Sequence, residues 1–406
     1  MTGHRFDGGT WEQLRGRRSI KWRAYPPDVL PAWVAEMDFP LARPIAEALH
    51  AAVDRDDTGY AYFDGFAEAV AGFLADRLTW TVDPALISAV PDVMAGVGES
   101  LRLLTDPDAG VVINPPVYPP FAVAIRAAGR RVVEVPLGRA GAAHLLDLDA
   151  LERAFAADAV QAYLLCSPHN PTGLVFSRTE LQAVAALARR YDIAVVADEI
   201  HAPLALPGAG FTAYLSLEQA APRAVSLVSA SKAFNLAGLK CAALVAGDAD
   251  VLALTASISP EVRFRTGLFG VLASIAAFRD GGPWLDEVLG YLDGNRRLLG
   301  DLLAQRLPAA RWAPPQASYL AWLDLSAYDL GPDPAAVLLA QGRVALSPGP
   351  DFGALGSGFA RLNFATPAHL LTEAVDRMAA AVAGQPVGGQ PVGGQPMASP
   401  TASSRP

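Results

Sequence analysis

Three short runs place reactive side chains directly after apolar stretches. Asn170 lies in Ser167-Pro168-His169-Asn170-Pro171-Thr172-Gly173, Asp198 and His201 in Asp198-Glu199-Ile200-His201, and Lys232 in Ser229-Ala230-Ser231-Lys232. Taken singly, each has an ordinary reading. Asn-Pro-Thr-Gly is a good turn sequence, an aspartate after a strand can cap a helix, and a lysine among serines can be a solvated loop residue. Taken together and in this order, they suit one kind of chemistry. A lysine amine condenses with an aldehyde and later moves a proton at a neighbouring carbon. A carboxylate keeps a pyridine nitrogen protonated so that the ring can accept an electron pair. An amide can hydrogen-bond a phenolic oxygen, and hydroxyls with a helix N-terminus can hold a phosphate dianion. Those are the requirements of pyridoxal 5′-phosphate (PLP).

The elements that must position these residues follow from the hydrophobic pattern. Short apolar runs at Gly110 to Asn114, Arg131 to Val135, Ala162 to Cys166, Ala194 to Asp198, Ala224 to Val228 and Ala242 to Ala246 read as strands. Between them lie helical periodicities, the clearest from Ser177 to Tyr191. Near-continuous apolar strands alternating with helices imply a mostly parallel sheet covered on both faces, an α/β fold. Open sheets of this kind bind ligands beyond the carboxyl ends of their strands, where Asn170, Asp198 and Lys232 fall. Further helices are expected over Pro44 to Val53, Gly65 to Leu78, Pro91 to Leu104, and from Gly267 to Leu307 with a break at Gly281-Gly282-Pro283. The last third, with a strand at Tyr319 to Leu325, another at Val344 to Leu346 and a helix from Ala368 to Val382, reads as a smaller α+β lobe.

The quoted motifs, with Trp33-Val34-Ala35-Glu36-Met37-Asp38-Phe39 and Phe359-Ala360-Arg361-Leu362-Asn363, resemble the fold-type I PLP enzymes of aminotransferase class I/II. Within them, the Asp-Glu-Ile-His and Met-Asp-Phe segments resemble the cystathionine β-lyase-like carbon–sulfur lyases, including the type that doubles as a maltose-regulon modulator. The resemblance covers nearly the whole chain. It implies an aspartate aminotransferase-like fold: residues 1–44 as an N-terminal arm and part of the small domain, 45–285 as the large PLP-binding domain and 286–383 as the small domain. The Gly/Pro/Gln-rich tail at 384–406 falls outside it, and its low complexity predicts disorder.

Residue by residue, the resemblance implies that Lys232 is the Schiff-base lysine and Asp198 the pyridine-nitrogen partner. Asn170 would serve the phenolic oxygen and the substrate carboxylate. His201 stands where aminotransferases place a tyrosine toward the same oxygen; a purely structural histidine is the alternative. Tyr118, in Pro115-Pro116-Val117-Tyr118-Pro119-Pro120-Phe121, would stack on the ring and take part in catalysis. Val93 and Met94 would offer backbone N–H groups to the phosphate, and Ser229 and Ser231 their hydroxyls. Lys240 stands where many aminotransferases have a phosphate-binding arginine; it supplies charge but no bidentate fork. Tyr60, in Gly59-Tyr60-Ala61-Tyr62, would reach the neighbour's phosphate across a homodimer interface. Arg361 would hold the substrate α-carboxylate, and the backbone around Met37 and Asp38 would line the substrate mouth.

The expected reaction is β-elimination of L-cystathionine or a related S-substituted cysteine, giving a thiol, pyruvate and ammonia. An aminotransferase shares the same lysine, aspartate, asparagine and arginine and remains the alternative. A regulatory interaction protein built on the fold is a third reading. The net charge of -9 argues against a nucleic-acid partner, which needs a basic face. Two cysteines in 406 residues, Cys166 and Cys241, cannot make a disulfide framework and read as buried thiols. Neither a signal-peptide core nor a run of about 20 apolar residues is present, so a cytoplasmic protein without a membrane or metal partner is expected.

Overall fold

The computed structural model describes residues 5–384; all but the first residue of the Gly/Pro/Gln-rich tail lie outside them. Seven strands form the main sheet: β1 (Ile87–Val90), β2 (Gly110–Ile113), β3 (Arg131–Glu134), β4 (Val160–Cys166), β5 (Ala194–Asp198), β6 (Ala224–Val228) and β7 (Ala242–Ala246). Their spatial order is β1-β7-β6-β5-β4-β2-β3. All neighbours are parallel except β7, which runs antiparallel to both β1 and β6.

The strands read as continuous apolar runs because both faces are covered. Val111, Leu164, Val196 and Leu227 pack into one core, whereas Val112, Tyr163, Leu165 and Val195 pack into the core on the other face. This is the two-residue alternation of a strand, with neither side left to solvent. The edge strand β1 is the element that the apolar pattern does not single out. Its four residues, Ile-Ser-Ala-Val, are half-buried in the middle and have too little periodicity to stand out.

Helix α1 (Val93–Leu104) lies directly on the sheet. Its N-cap Asp92 accepts a hydrogen bond from the Ala95 N–H. Gly96 makes the close approach possible: a Cβ there would sit 2.5 Å from a Leu227 methyl. Helix α2 (Arg178–Arg190) opens with a reciprocal Ser177–Glu180 capping box.

The smaller lobe is built on β8 (Leu320–Asp324), β9 (Ser347–Pro348) and β10 (Phe359–Asn363), in the order β8-β10-β9. The helix Gly282–Arg306 and the closing helix Ala368–Val382 pack together behind it. The N-terminal arm belongs to this lobe, because Leu30 and Pro31 pair in parallel with Val344 and Ala345. Beneath the arm, Asp38 forms a fully buried ion pair with Lys21 at 2.7 Å and accepts the Trp22 indole N–H at 2.9 Å.

Candidate active site

A cleft of about 530 Å³ opens where the carboxyl ends of β4, β5 and β6 face the smaller lobe. Lys232, Asp198, Asn170, His201, Tyr118, Val93, Met94, Ser231, Lys240 and Arg361 all line it. Residues up to 268 positions apart in the chain are therefore brought together by strand ends and one strand of the smaller lobe.

Lys232 sits in the one-turn helix Ala230–Ala233 that follows β6. Its amine donates to the Ala35 carbonyl at 3.0 Å. Burial, reinforced by the Arg361 charge, lowers its pKa to about 8, against the opposing pull of Glu36 and Asp198. Asp198, at the end of β5, accepts the Ile200 N–H at 3.1 Å. Burial raises its pKa to about 6, with Lys232 acting in the opposite sense. A buried carboxylate without a full counter-charge is a natural partner for a protonated heterocyclic nitrogen. His201 is buried beside it; burial and then Lys232 lower its pKa to about 3, so it is neutral. No protein group bonds its Nδ1, and its ring meets Tyr319 edge-on at 6.3 Å.

Arg361 rises from β10 into the cleft. Nη1 donates to Asn170 Oδ1 at 2.9 Å, while Nη2 donates to the Trp33 carbonyl and Ser347 Oγ, both at 3.0 Å. Its guanidinium lies over the Phe352 ring at 4.9 Å. Among the described residues no carboxylate comes within ion-pair distance of it, and its Nε–H has no partner. A buried, unpaired guanidinium is costly unless an anion arrives.

Val93 and Met94 at the start of α1, Ser231 and Lys240 also line the cleft. Lys240 adopts a left-handed conformation (φ 60°) and pairs with Asp92 at 3.1 Å. Tyr118, between Val117 and the helix Pro120–Ala127, is held edge-on against Phe121; its hydroxyl pKa is raised by burial. The donors fit PLP in kind: a buried amine, an isolated carboxylate, an aromatic face, and a helix N-terminus with a hydroxyl and an ammonium.

Three expected residues, Met37, Asp38 and Ser229, lie elsewhere. Met37 and Asp38 do not line the mouth; Trp33, Val34 and Ala35 do. Asp38 is consumed by Lys21 and Trp22, and both backbone groups of Met37 are bound to Asn235. Ser229 lies behind the cleft as an N-cap, its hydroxyl donating to the Cys241 carbonyl and accepting the Ser231 N–H. Tyr60, expected to act on the neighbour's site, is 83% exposed, its ring 5.5 Å from that of Phe264, and it does not line this protomer's cleft. Sequence reasoning also missed Ser347, Phe352 and the carbonyls of Trp33 and Ala35. A backbone carbonyl carries no residue signature, so no sequence signal could have marked the last two.

The family model for aminotransferase class I and II matches residues 29–378. A Mycobacterium leprae (strain TN) protein is 47% identical over 403 residues, 94% of this chain and 99% of its own length. The cystathionine β-lyase PatB of Bacillus subtilis (strain 168) is 35% identical over 380 residues, covering 91% and 98%. Among solved structures, cystalysin from Treponema denticola, which contains a pyridoxal 5′-phosphate cofactor, superposes with a TM-score of 0.86 at 27% identity, covering 91% of this chain and 97% of that one.

Proposed function

The chain belongs to the aminotransferase class I and II family, and we propose that it is a PLP-dependent carbon–sulfur lyase acting on L-cystathionine or related S-substituted cysteines. The products are homocysteine (or the corresponding thiol), pyruvate and ammonia. One observation carries the reading most directly: a buried lysine amine, a buried carboxylate and a buried unpaired guanidinium share one cleft. The cystathionine β-lyases of comparable length among its relatives narrow the reaction from amino-acid chemistry at large to β-elimination.

Bound in the cleft, PLP supplies an aldehyde for amines and a ring that draws off the electron pair of the Cα–H bond. The protein supplies the rest. Lys232 carries the cofactor and, when its amine is free and neutral, takes the Cα proton. A pKa near 8 keeps a useful fraction neutral at physiological pH. Asp198 would hold the ring nitrogen's proton, and Tyr118 would lie against the ring. Asn170 ties the phenolic oxygen to the carboxylate site, since its Oδ1 already anchors Arg361. His201 faces the same side as an uncharged group. Arg361 receives the substrate carboxylate and so fixes which Cα bond is presented. Val93, Met94, Ser231 and Lys240 would hold the phosphate.

The exposure of Tyr60 beside the exposed Phe264 supports a homodimer in which Tyr60 completes the partner's phosphate site. We divide the chain into an arm (1–44), a large cofactor-binding domain (45–285) and a small domain (286–383), and place the protein in the cytoplasm. No helix among the described residues is long and apolar enough to cross a membrane.

The test is incubation of the PLP-loaded protein with L-cystathionine and no keto acid. Stoichiometric pyruvate and thiol support the lyase. Absence of both, with amino transfer appearing once a keto acid is added, assigns an aminotransferase instead.

A further inference from the structure

The strap from Trp33 to Met37 crosses the cleft, and each of its five consecutive carbonyls meets a named side-chain donor. Trp33 O accepts from Arg361 and Ser347, Ala35 O from Lys232, and Met37 O from Asn235 and Arg17. Val34 O and Glu36 O both accept from Asn363 at 2.7 Å, and Glu36 O also from Lys21. Asn363 thus holds the carbonyls of Val34 and Glu36, while those of Trp33 and Ala35 meet Arg361 and Lys232 in the cleft. The two asparagines are the pins. Asn235 stands three residues after Lys232, has φ 60°, and binds Met37 at both its N–H (2.8 Å) and its carbonyl (2.9 Å). Asn363 stands two residues after Arg361.

We propose that Asn235 and Asn363 are positioning residues that set the register of this strap, so that the Ala35 carbonyl orients the free Lys232 amine for proton transfer. The proposal rests on the assignment of Lys232 as the reacting amine. A primary amine that gives one N–H to a fixed carbonyl has its remaining directions restricted, and its lone pair is aimed rather than free to rotate. The strap turns tightly here, the Glu36 N–H donating to the Val34 carbonyl at 2.8 Å, so a one-residue shift would put Glu36 O or Val34 O in place of Ala35 O. The carbonyl also favours the charged ammonium, because it accepts a bond from it. The other groups around the amine are fixed in sign: Arg361 and Lys240 disfavour its charge, Glu36 and Asp198 favour it, and His201 and Tyr118 are neutral.

The test compares Asn235→Gly, which tolerates the positive φ and removes both contacts, with Asn235→Asp, which tolerates it and still accepts the Met37 N–H. For Asn235→Gly, kcat falls about tenfold or more with KM nearly unchanged. The acidic limb of the kcat–pH profile moves down by about half a unit to one unit. A readout independent of turnover is the capture of added PLP by full-length protein stripped with hydroxylamine, followed by absorbance. Capture slows and its pH midpoint moves the same way; Asn235→Asp, which keeps the Met37 N–H contact, slows capture less, and its added negative charge moves the midpoint up instead. If Asn235→Gly does not fold, Asn235→Asp against wild type reads the same two quantities. Unmoved pH midpoints in both measurements overturn the proposal, even if activity drops with the melting temperature. Pyruvate release by Lys232→Ala would instead overturn the assignment of the base itself.

Discussion

Replacing Arg361 with lysine tests the carboxylate site, and its effect follows from a donor count. A guanidinium has five N–H donors. Three are spent on Asn170, the Trp33 carbonyl and Ser347, which leaves two for a ligand. An ammonium has three. A lysine that satisfies the same three acceptors has none left; one that turns to the substrate abandons the loop carbonyl and Asn170. Either way about two charge-assisted hydrogen bonds to the substrate carboxylate are lost or bought at the expense of buried acceptors. At about 1.5–3 kcal/mol each, the loss is about 3–6 kcal/mol, or roughly 10²- to 10⁴-fold in kcat/KM. The assay is pyruvate release from L-cystathionine by PLP-loaded Arg361→Lys, with cofactor absorbance confirming that loading is unchanged. A variant within about fivefold of wild type would refute the donor argument, since the charge alone would then suffice. An equal loss of cofactor would show that Arg361 supports the PLP site and not the substrate.

Cofactor-free Lys232→Met should be more stable than cofactor-free wild type at pH 7. A lysine lowered from 10.5 to about 8 on folding costs about 3 kcal/mol in that state. The folded lysine binds fewer protons than the unfolded one between about pH 8 and 10.5, so the wild type regains stability across that window and the gap between the two urea midpoints narrows. A gap that stays constant with pH excludes this origin. Lys21→Met leaves Asp38 buried without its nearest cation and should lower unfolding free energy by about 3–5 kcal/mol in urea titrations, whereas breaking the exposed Arg43–Glu47 pair should leave the urea midpoint unchanged. Mixing and co-refolding Lys232→Ala with Tyr60→Ala, each inactive, should restore about one quarter of wild-type activity, because half the dimers are hybrids with one intact site of two. No restoration would place Tyr60 outside the partner's site.

The residues at strand ends were legible because a parallel strand buried on both faces is a plain apolar run, and Asn170, Asp198 and Lys232 lie at its last residue or within four residues beyond it. Arg361 was legible from its motif. The failures share a cause. Asp38 and Ser229 are polar residues in suggestive motifs, but their partners, Lys21, Trp22 and the Cys241 carbonyl, lie on other elements. Whether a polar side chain faces a cleft or is consumed behind it depends on contacts that no local pattern encodes. Asn235 illustrates the converse: it looks like a loop residue after the lysine, and acquires a role only when Met37, 198 positions away, arrives beside it.

The sheet order carries a consequence for biosynthesis. Ile87 on β1 pairs with Val245 on β7, so the first strand made has to wait for the last before that edge closes. Leu30 waits longer still, for Val344. A chain emerging from the ribosome therefore leaves the Leu30–Pro31 edge unpaired until some 345 residues have been synthesised, and the strap beyond it waits for Arg361 and Asn363. Premature termination anywhere before that point yields a fragment with an unpaired edge and no catalytic cleft, a species for chaperones and proteases to remove, with no partly active remnant.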